Sequence, residues 1–124
     1  MNKERLKILA DFLKTVPEQG FDLATWVSLG DTPNRCGTTG CAMGWACQIP
    51  VFKADGLRII EYVDGMYVPE FDLSYGFSAS ARFFEIALDQ ALYLFQPHNY
   101  PAGQRKNPLA VVGRIYELIG HDGN

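Results

Sequence analysis

Three cysteines fall within twelve residues, Cys36, Cys41 and Cys47, and the first two bracket Gly37-Thr38-Thr39-Gly40. Three chemistries could use such a stretch. A thiol beside a helix start feels the positive end of the helix dipole, which lowers its pKa and makes Cys36 or Cys41 a candidate nucleophile; His98 is the base such a hydrolase or transferase would need. The same helix start offers unpaired N–H groups, so Gly37, Thr38, Thr39 and Gly40 are candidate contacts for a small anionic ligand such as a phosphate. The three thiols with His98 also supply four donors of the kind that bind zinc.

Each reading has a bland competitor. The cysteine spacing lacks the short CxxC knuckle of structural zinc sites, and on a helix Cys47 faces away from Cys41, so no metal is expected. No lysine follows the second glycine and there is no GxGxxG, so the known phosphate-loop patterns do not apply. His121 lies past the expected end of the last helix, in a tail, and His98 sits in a loop rich in proline, where a solvated histidine is the ordinary case. The structural reading comes first. Thr38 or Thr39 caps a helix running to about Ile49, with Cys41, Ala42, Trp45, Ala46 and Ile49 on one stripe. Gly40 and Gly44 form a second ridge with almost no bulk. Glycine inside a helix costs roughly 1 kcal/mol relative to alanine, a loss that makes sense where something approaches closely. The chain's own core is the expected occupant, and Cys41, on the face of Trp45, is expected to be a buried, inert thiol.

The elements around this motif follow from periodicity. Leu6, Leu9, Ala10, Leu13 and Val16 repeat at helical spacing, flanked by Ile8 and Phe12, and Pro17 and Gly20 end that helix. Asp22 is an N-cap with Phe21 poised to staple onto Trp26, giving a short helix that stops at Gly30, followed by a turn over Asp31-Thr32-Pro33-Asn34. Pro50 closes the helix that the motif opens. Residues 57–71 then turn β-branched and aromatic around Asp64-Gly65, the strongest short hairpin signal available. A two-residue turn sets Val63 opposite Met66, Tyr62 opposite Tyr67 and Glu61 opposite Val68. One face then carries Ile59, Val63, Met66 and Val68, the other Ile60, Tyr62, Tyr67 and Phe71, while Glu61 and Glu70 share a face diagonally. A lone ribbon is marginal in water, so it must pack on the helices or on a neighbouring subunit. Tyr62, Met66, Tyr67 and Phe71 are the candidate interface residues.

Two further helices follow, one capped by Ser78 and one over LDQALYLF, with a break near Ala87. Residues 96–103 form a loop. Asn107-Pro108 marks a last helix with Val111, Ile115, Leu118 and Ile119 inward and Gly120 as its stop. The expected fold is therefore α+β, a predominantly helical single domain over residues 1–124, with about five or six helices and one β-hairpin near 57–71.

Composition narrows the partners. At 48% hydrophobic and 20% charged, the 124 residues can bury one real core. The net charge is −3, and only Arg105-Lys106 places two basic side chains together, so no footprint for duplex nucleic acid exists. No apolar run approaches the length of a membrane span, and the charged, amphipathic N-terminus lacks a signal-peptide core. An odd cysteine count without such a signal points to reduced thiols in the cytoplasm.

The chain also resembles small uncharacterised proteins of bacteria and their phages that carry a C-G-T-x-x-C-x-x-G-[WH]-A helix start. The matching pieces are Phe21-Asp22-Leu23 with Trp26, Cys36-Gly37-Thr38, Cys41, Gly44-Trp45-Ala46, Phe83-Phe84, and Gln90-Ala91 through Leu94-Phe95. The chain departs from that pattern at Glu85, where the family has glycine. The resemblance implies a phage or prophage accessory protein and supplies no mechanism. Together these readings give the expectation of a non-enzymatic binding protein that needs no cofactor, forms a homo-oligomer or engages a protein partner, and acts by sequestering that partner or a small anionic ligand. The alternative is the cysteine-dependent hydrolase or transferase built on Cys36 or Cys41 with His98.

Overall fold

A computed structural model describes residues 1–23, 27–28, 39–63 and 66–122; for 27–28, 39–40, 62–63, 66 and 121–122 only the backbone is described. The described residues form six α-helices, a three-stranded antiparallel sheet and a short two-stranded ladder, a small α+β domain.

Helix α1 (Lys3–Leu13) begins where the Asn2 side chain accepts a hydrogen bond from the Arg5 N–H at 3.0 Å, and its apolar stripe, Leu6, Leu9, Ala10 and Leu13, is fully buried. Helix α6 (Pro108–Asp122) packs along it. Proline takes the first helical position and Asn107 Oδ1 accepts from the Leu109 N–H at 3.0 Å, the expected start. Val111 and Ile115 are buried, with Leu118 and Ile119 half-buried beside them. Gly120 does not stop this helix, which continues to Asp122, so His121 has helical backbone rather than lying in a tail. Glycine is only a preference at a helix end, and here no left-handed residue follows it to break the ladder.

Helices α4 (Phe77–Phe84) and α5 (Leu88–Phe95) are separated at Glu85, whose φ of 56° places it in the left-handed region. Ser78 does not cap α4; Gly76 does, with no side-chain bond. The αL residue closes α4 in the manner that glycine usually serves. At Glu85 the neighbouring chain holds the conformation: Asn2 donates its backbone N–H to Phe84 O at 2.7 Å and its side-chain amide to Glu85 Oε2 at 3.1 Å.

The hairpin forms as β3 (Arg58–Val63) and β4 (Met66–Phe71), with β5 (Ser74–Tyr75) added to β4 by a second tight turn. Val63 pairs with Met66 as the turn chemistry predicts, but the register then shifts, and Glu61 faces Tyr67 while Ile60 faces Val68. Tyr62 is thus one extra residue on β3, and a single inserted residue exchanges the faces of everything beyond it. Ile59, Tyr67 and Phe71 share one face, Arg58, Ile60, Val68 and Glu70 the other, and Glu61 and Glu70 are separated.

The sheet is fixed to the helices by phenylalanines. The Phe83 ring centroid lies 4.8 Å from Phe52 and 5.1 Å from both Phe71 and Phe84, all edge-on, and the Arg5 guanidinium lies 4.1 Å above it. That cluster joins α1, α3 (Pro50–Ala54), β4 and α4 in one core. Pro50 opens α3 instead of merely closing the preceding helix, because proline's missing N–H is no loss at a first turn.

Candidate functional site

The cysteine motif folds differently from its sequence reading. Thr39–Gly40 is a strand, β2, paired antiparallel with β1 (Val27–Ser28), with Val27 opposite Gly40 and Ser28 opposite Thr39. The helix expected from Asp22 to Gly30 is therefore not formed at residues 27–28, and neither threonine caps the next helix. Trp26 and the turn at residues 31–34 lie outside the described residues, as do Cys36, Gly37 and Thr38.

Helix α2 (Ala42–Ala46) instead starts at Cys41, whose extended backbone (φ −79°, ψ −179°) lets its sulfur accept the Gly44 N–H at 3.4 Å. The thiol replaces the hydroxyl of an ordinary cap, and so a donor expected to be open for an anion is already used. Gly44 is buried within this short helix among Ala42, Met43 and Ala46. Trp45 lies half-buried at its edge, donating its indole N–H to Gly20 O at 2.8 Å, with the Phe12 ring 6.1 Å away. Gly44 is thus not open to solvent.

The thiol chemistry follows from that burial. Cys41 is 1% exposed, and desolvation pushes its pKa up to about 11 against the smaller opposing effect of the Gly44 hydrogen bond. Cys47 is also buried, and its thiol is pushed further up by desolvation and then by the neighbouring Cys41. Both shifts oppose a thiolate nucleophile at neutral pH. His98 stands exposed on a single 3-10 turn after α5 (Pro97–Asn99). Among the described residues no group of three or more His, Cys, Asp or Glu side chains is placed to hold a metal ion.

Of the four interface candidates, Phe71 packs inward against Phe83, and Tyr67 is half-buried across from Glu61. The side chains of Tyr62 and Met66 lie outside the described residues. The unusual surface of the sheet is at its other end. Between Phe71 and Ser74 the chain reverses in two residues, Asp72 and Leu73, with φ values of 52° and 64°. Two consecutive positive φ angles define the tight hairpin turn that normally selects Asn-Gly or Gly-Gly. A left-handed conformation costs a residue with a Cβ roughly 1–2 kcal/mol. Leu73 bears that strain while 82% exposed, and Tyr75 beside it is 44% exposed.

Fixed contacts hold the turn. Glu70 is only 5% exposed, and its carboxylate accepts the Leu73 N–H at 2.9 Å while pairing with the Arg58 guanidinium. The Arg58 hydrogen bond, then the Leu73 N–H, hold the Glu70 carboxyl below the usual carboxylate range. Arg82 on α4 pairs with Asp72 at 2.8 Å, and the Gly76 N–H reaches back to Pro69 O at 2.9 Å. Sequence reasoning missed this turn because Asp-Leu carries no hairpin signature; Glu70, three residues before a residue that cannot relax, is the signal that could have pointed to it.

Compared with family profiles, characterised proteins and solved structures, the chain matches none. No described helix is long and apolar enough to cross a membrane.

Proposed function

We propose that this chain is a non-enzymatic binding protein that engages another protein through the β4–β5 turn, with Leu73 as the inserted side chain and Tyr75 beside it. One observation carries the reading: a leucine is held in a left-handed conformation and 82% exposed, by a buried carboxylate whose hydrogen bond it could otherwise do without. Strain that persists because its surroundings over-determine it is a mark of sites that must present a fixed shape. A protruding apolar side chain with an aromatic neighbour suits insertion into a pocket, where a few residues supply most of the binding energy. Because the turn is convex, the complementary surface is a concave one on a different protein, and sequestration of that protein is the activity expected. The buried, high-pKa thiols of Cys41 and Cys47 favour this reading over thiol chemistry at those two residues.

Photo-leucine placed at Leu73, in cells that make the protein, tests it. Discrete adducts from position 73, absent when the probe replaces the exposed Lys106, are expected. No adduct at 73, or the same adducts from both positions, overturns the assignment.

A further inference from the structure

The two ion pairs at the β4–β5 turn differ in what they show to solvent. Both Glu70 oxygens are used inside the chain, one by the Arg58 guanidinium and one by the Leu73 N–H, and the side chain is only 6% exposed. The Arg58 side chain is 68% exposed. That pair hides its anion and displays its cation. The second pair, Arg82 with Asp72, is exposed on both sides, at 58% and 64%. A protein approaching Leu73 therefore meets two guanidinium groups and one carboxylate, although the four charges sum to zero.

The arginines also stand on opposite sides of the protruding leucine. Arg58 belongs to the sheet face of Val68 and Glu70, whereas α4, which carries Arg82, packs on the other face through Phe83 against Phe71. Each is one contact away from Leu73: Glu70 links Arg58 to the Leu73 N–H, and Arg82 pairs with the residue just before it. Leu73 and Tyr75 thus form an apolar tip with a guanidinium on each flank. A guanidinium carries five N–H donors in a planar fork that suits carboxylates, and each arginine gives one nitrogen to its own chain's carboxylate. The next carboxylate on β3, Glu61, lies three residues from Arg58 toward the other end of the hairpin. The whole chain, at −3, would not draw an acidic protein, so the attraction belongs to this tip alone.

We infer that Arg58 and Arg82 select the partner: the protein that receives Leu73 has an apolar pocket with carboxylates on its rim. The inference rests on the turn being the binding surface, and deepens that reading by naming the chemistry of the surface it fits. Rim charges of this kind act on association rate and specificity more than on final affinity, and salt screens them.

Photo-leucine at position 73 of the full chain, irradiated briefly in extract of the cells that make the protein, tests this through charge. Raising NaCl from about 0.05 M to about 0.5 M is expected to lower the yield of protein adducts by about tenfold. At low salt, Arg82→Glu is expected to lower it by a similar factor. Asp72→Asn is expected to raise it, because asparagine tolerates the turn conformation while removing the exposed anion. If the Arg82–Asp72 pair served only to hold the turn, both substitutions would lower the yield, and that result overturns the proposal. A yield indifferent to salt and to Arg82→Glu also overturns it: adducts would still form at 73, leaving the turn as the binding surface but its partner without an acidic rim. Adducts to nucleic acid or lipid in place of protein overturn it too. Absence of adducts from position 73 even at low salt removes the binding surface itself, and the proposal with it.

Discussion

At the Cys41–Ala46 corner the most flexible residue, Gly44, is buried; at the Asp72–Leu73 turn a stiff, apolar residue is bent into glycine's conformation and left outside. In the corner, a thiol that looks reactive in sequence is spent on capping a five-residue helix and is buried in the core. In the turn, residues that look ordinary in sequence are held by a buried carboxylate and two arginines. The glycine there lies in ordinary helix, whereas the leucine here accumulates strain. What differs is which group the fold hides: reactive sulfur in one place, a supporting carboxylate in the other. A conspicuous residue type is therefore a poor guide to function unless the backbone around it is known.

That contrast can be broken first at its core side. Met43→Ala removes a fully buried side chain from the corner and is expected to cost about 2–5 kcal/mol in urea denaturation. Leu73→Ala, losing the same number of heavy atoms from the turn, is expected to change stability by less than about 0.5 kcal/mol, as exposed substitutions do. Comparable losses at the two sites would remove the distinction between them.

Thiol reactivity sharpens the same point. In a Cys36→Ser protein only Cys41 and Cys47 remain of the three cysteines. With Cys41 at about 11, its native-state reaction with a disulfide reagent at pH 8 is expected to run two to three orders of magnitude slower than in urea. A native rate near the unfolded one would show that the corner is open.

At the turn, Glu70→Gln keeps the shape and removes the charge. Losing charge-assisted bonds to Arg58 and the Leu73 N–H is expected to cost about 1.5–3 kcal/mol at pH 7. The folded-state pKa of Glu70 is lowered, so its stabilisation is complete above the ordinary glutamate value of about 4.3 and lost as pH falls through the lower folded value. Urea midpoints of wild type and Glu70→Gln should therefore converge below about pH 4. Parallel curves down to pH 3 would mean that the carboxylate does not hold the turn.

The sequence made much of this fold legible where one physical signal dominated. Leu6, Leu9, Ala10 and Leu13 could only be a helix stripe, and Asn107-Pro108 could only begin one; both are so placed. The Asp64-Gly65 signal located the hairpin, but nothing in its residues announced the extra Tyr62, so the register beyond it was read one residue out of step. Thr38 and Thr39 are the better capping residues by propensity, yet Thr39 and Gly40 pair with Ser28 and Val27 in a ladder, and Cys41 caps the helix. Gly40 and Gly44 were read as one ridge, although only Gly44 is helical. Gly120, read as a stop, proves to be an exposed helical position. The Asp72-Leu73 turn was illegible for a plainer reason: leucine has no preference for positive φ, so its conformation is imposed from outside by Glu70, Arg82 and the strand pairing.

Leu73→Gly tests the central claim most directly, because strain and function pull it in opposite directions. Glycine removes the penalty of the left-handed conformation, and allowing for the greater freedom it gives the unfolded chain, the melting experiment should show stabilisation of about 0.5–1 kcal/mol. Capture of partner proteins from the cells that make the protein should fall at the same time. A Leu73→Gly protein that captures the same proteins in the same amounts, whatever its stability, would contradict the assignment of this turn as the binding surface.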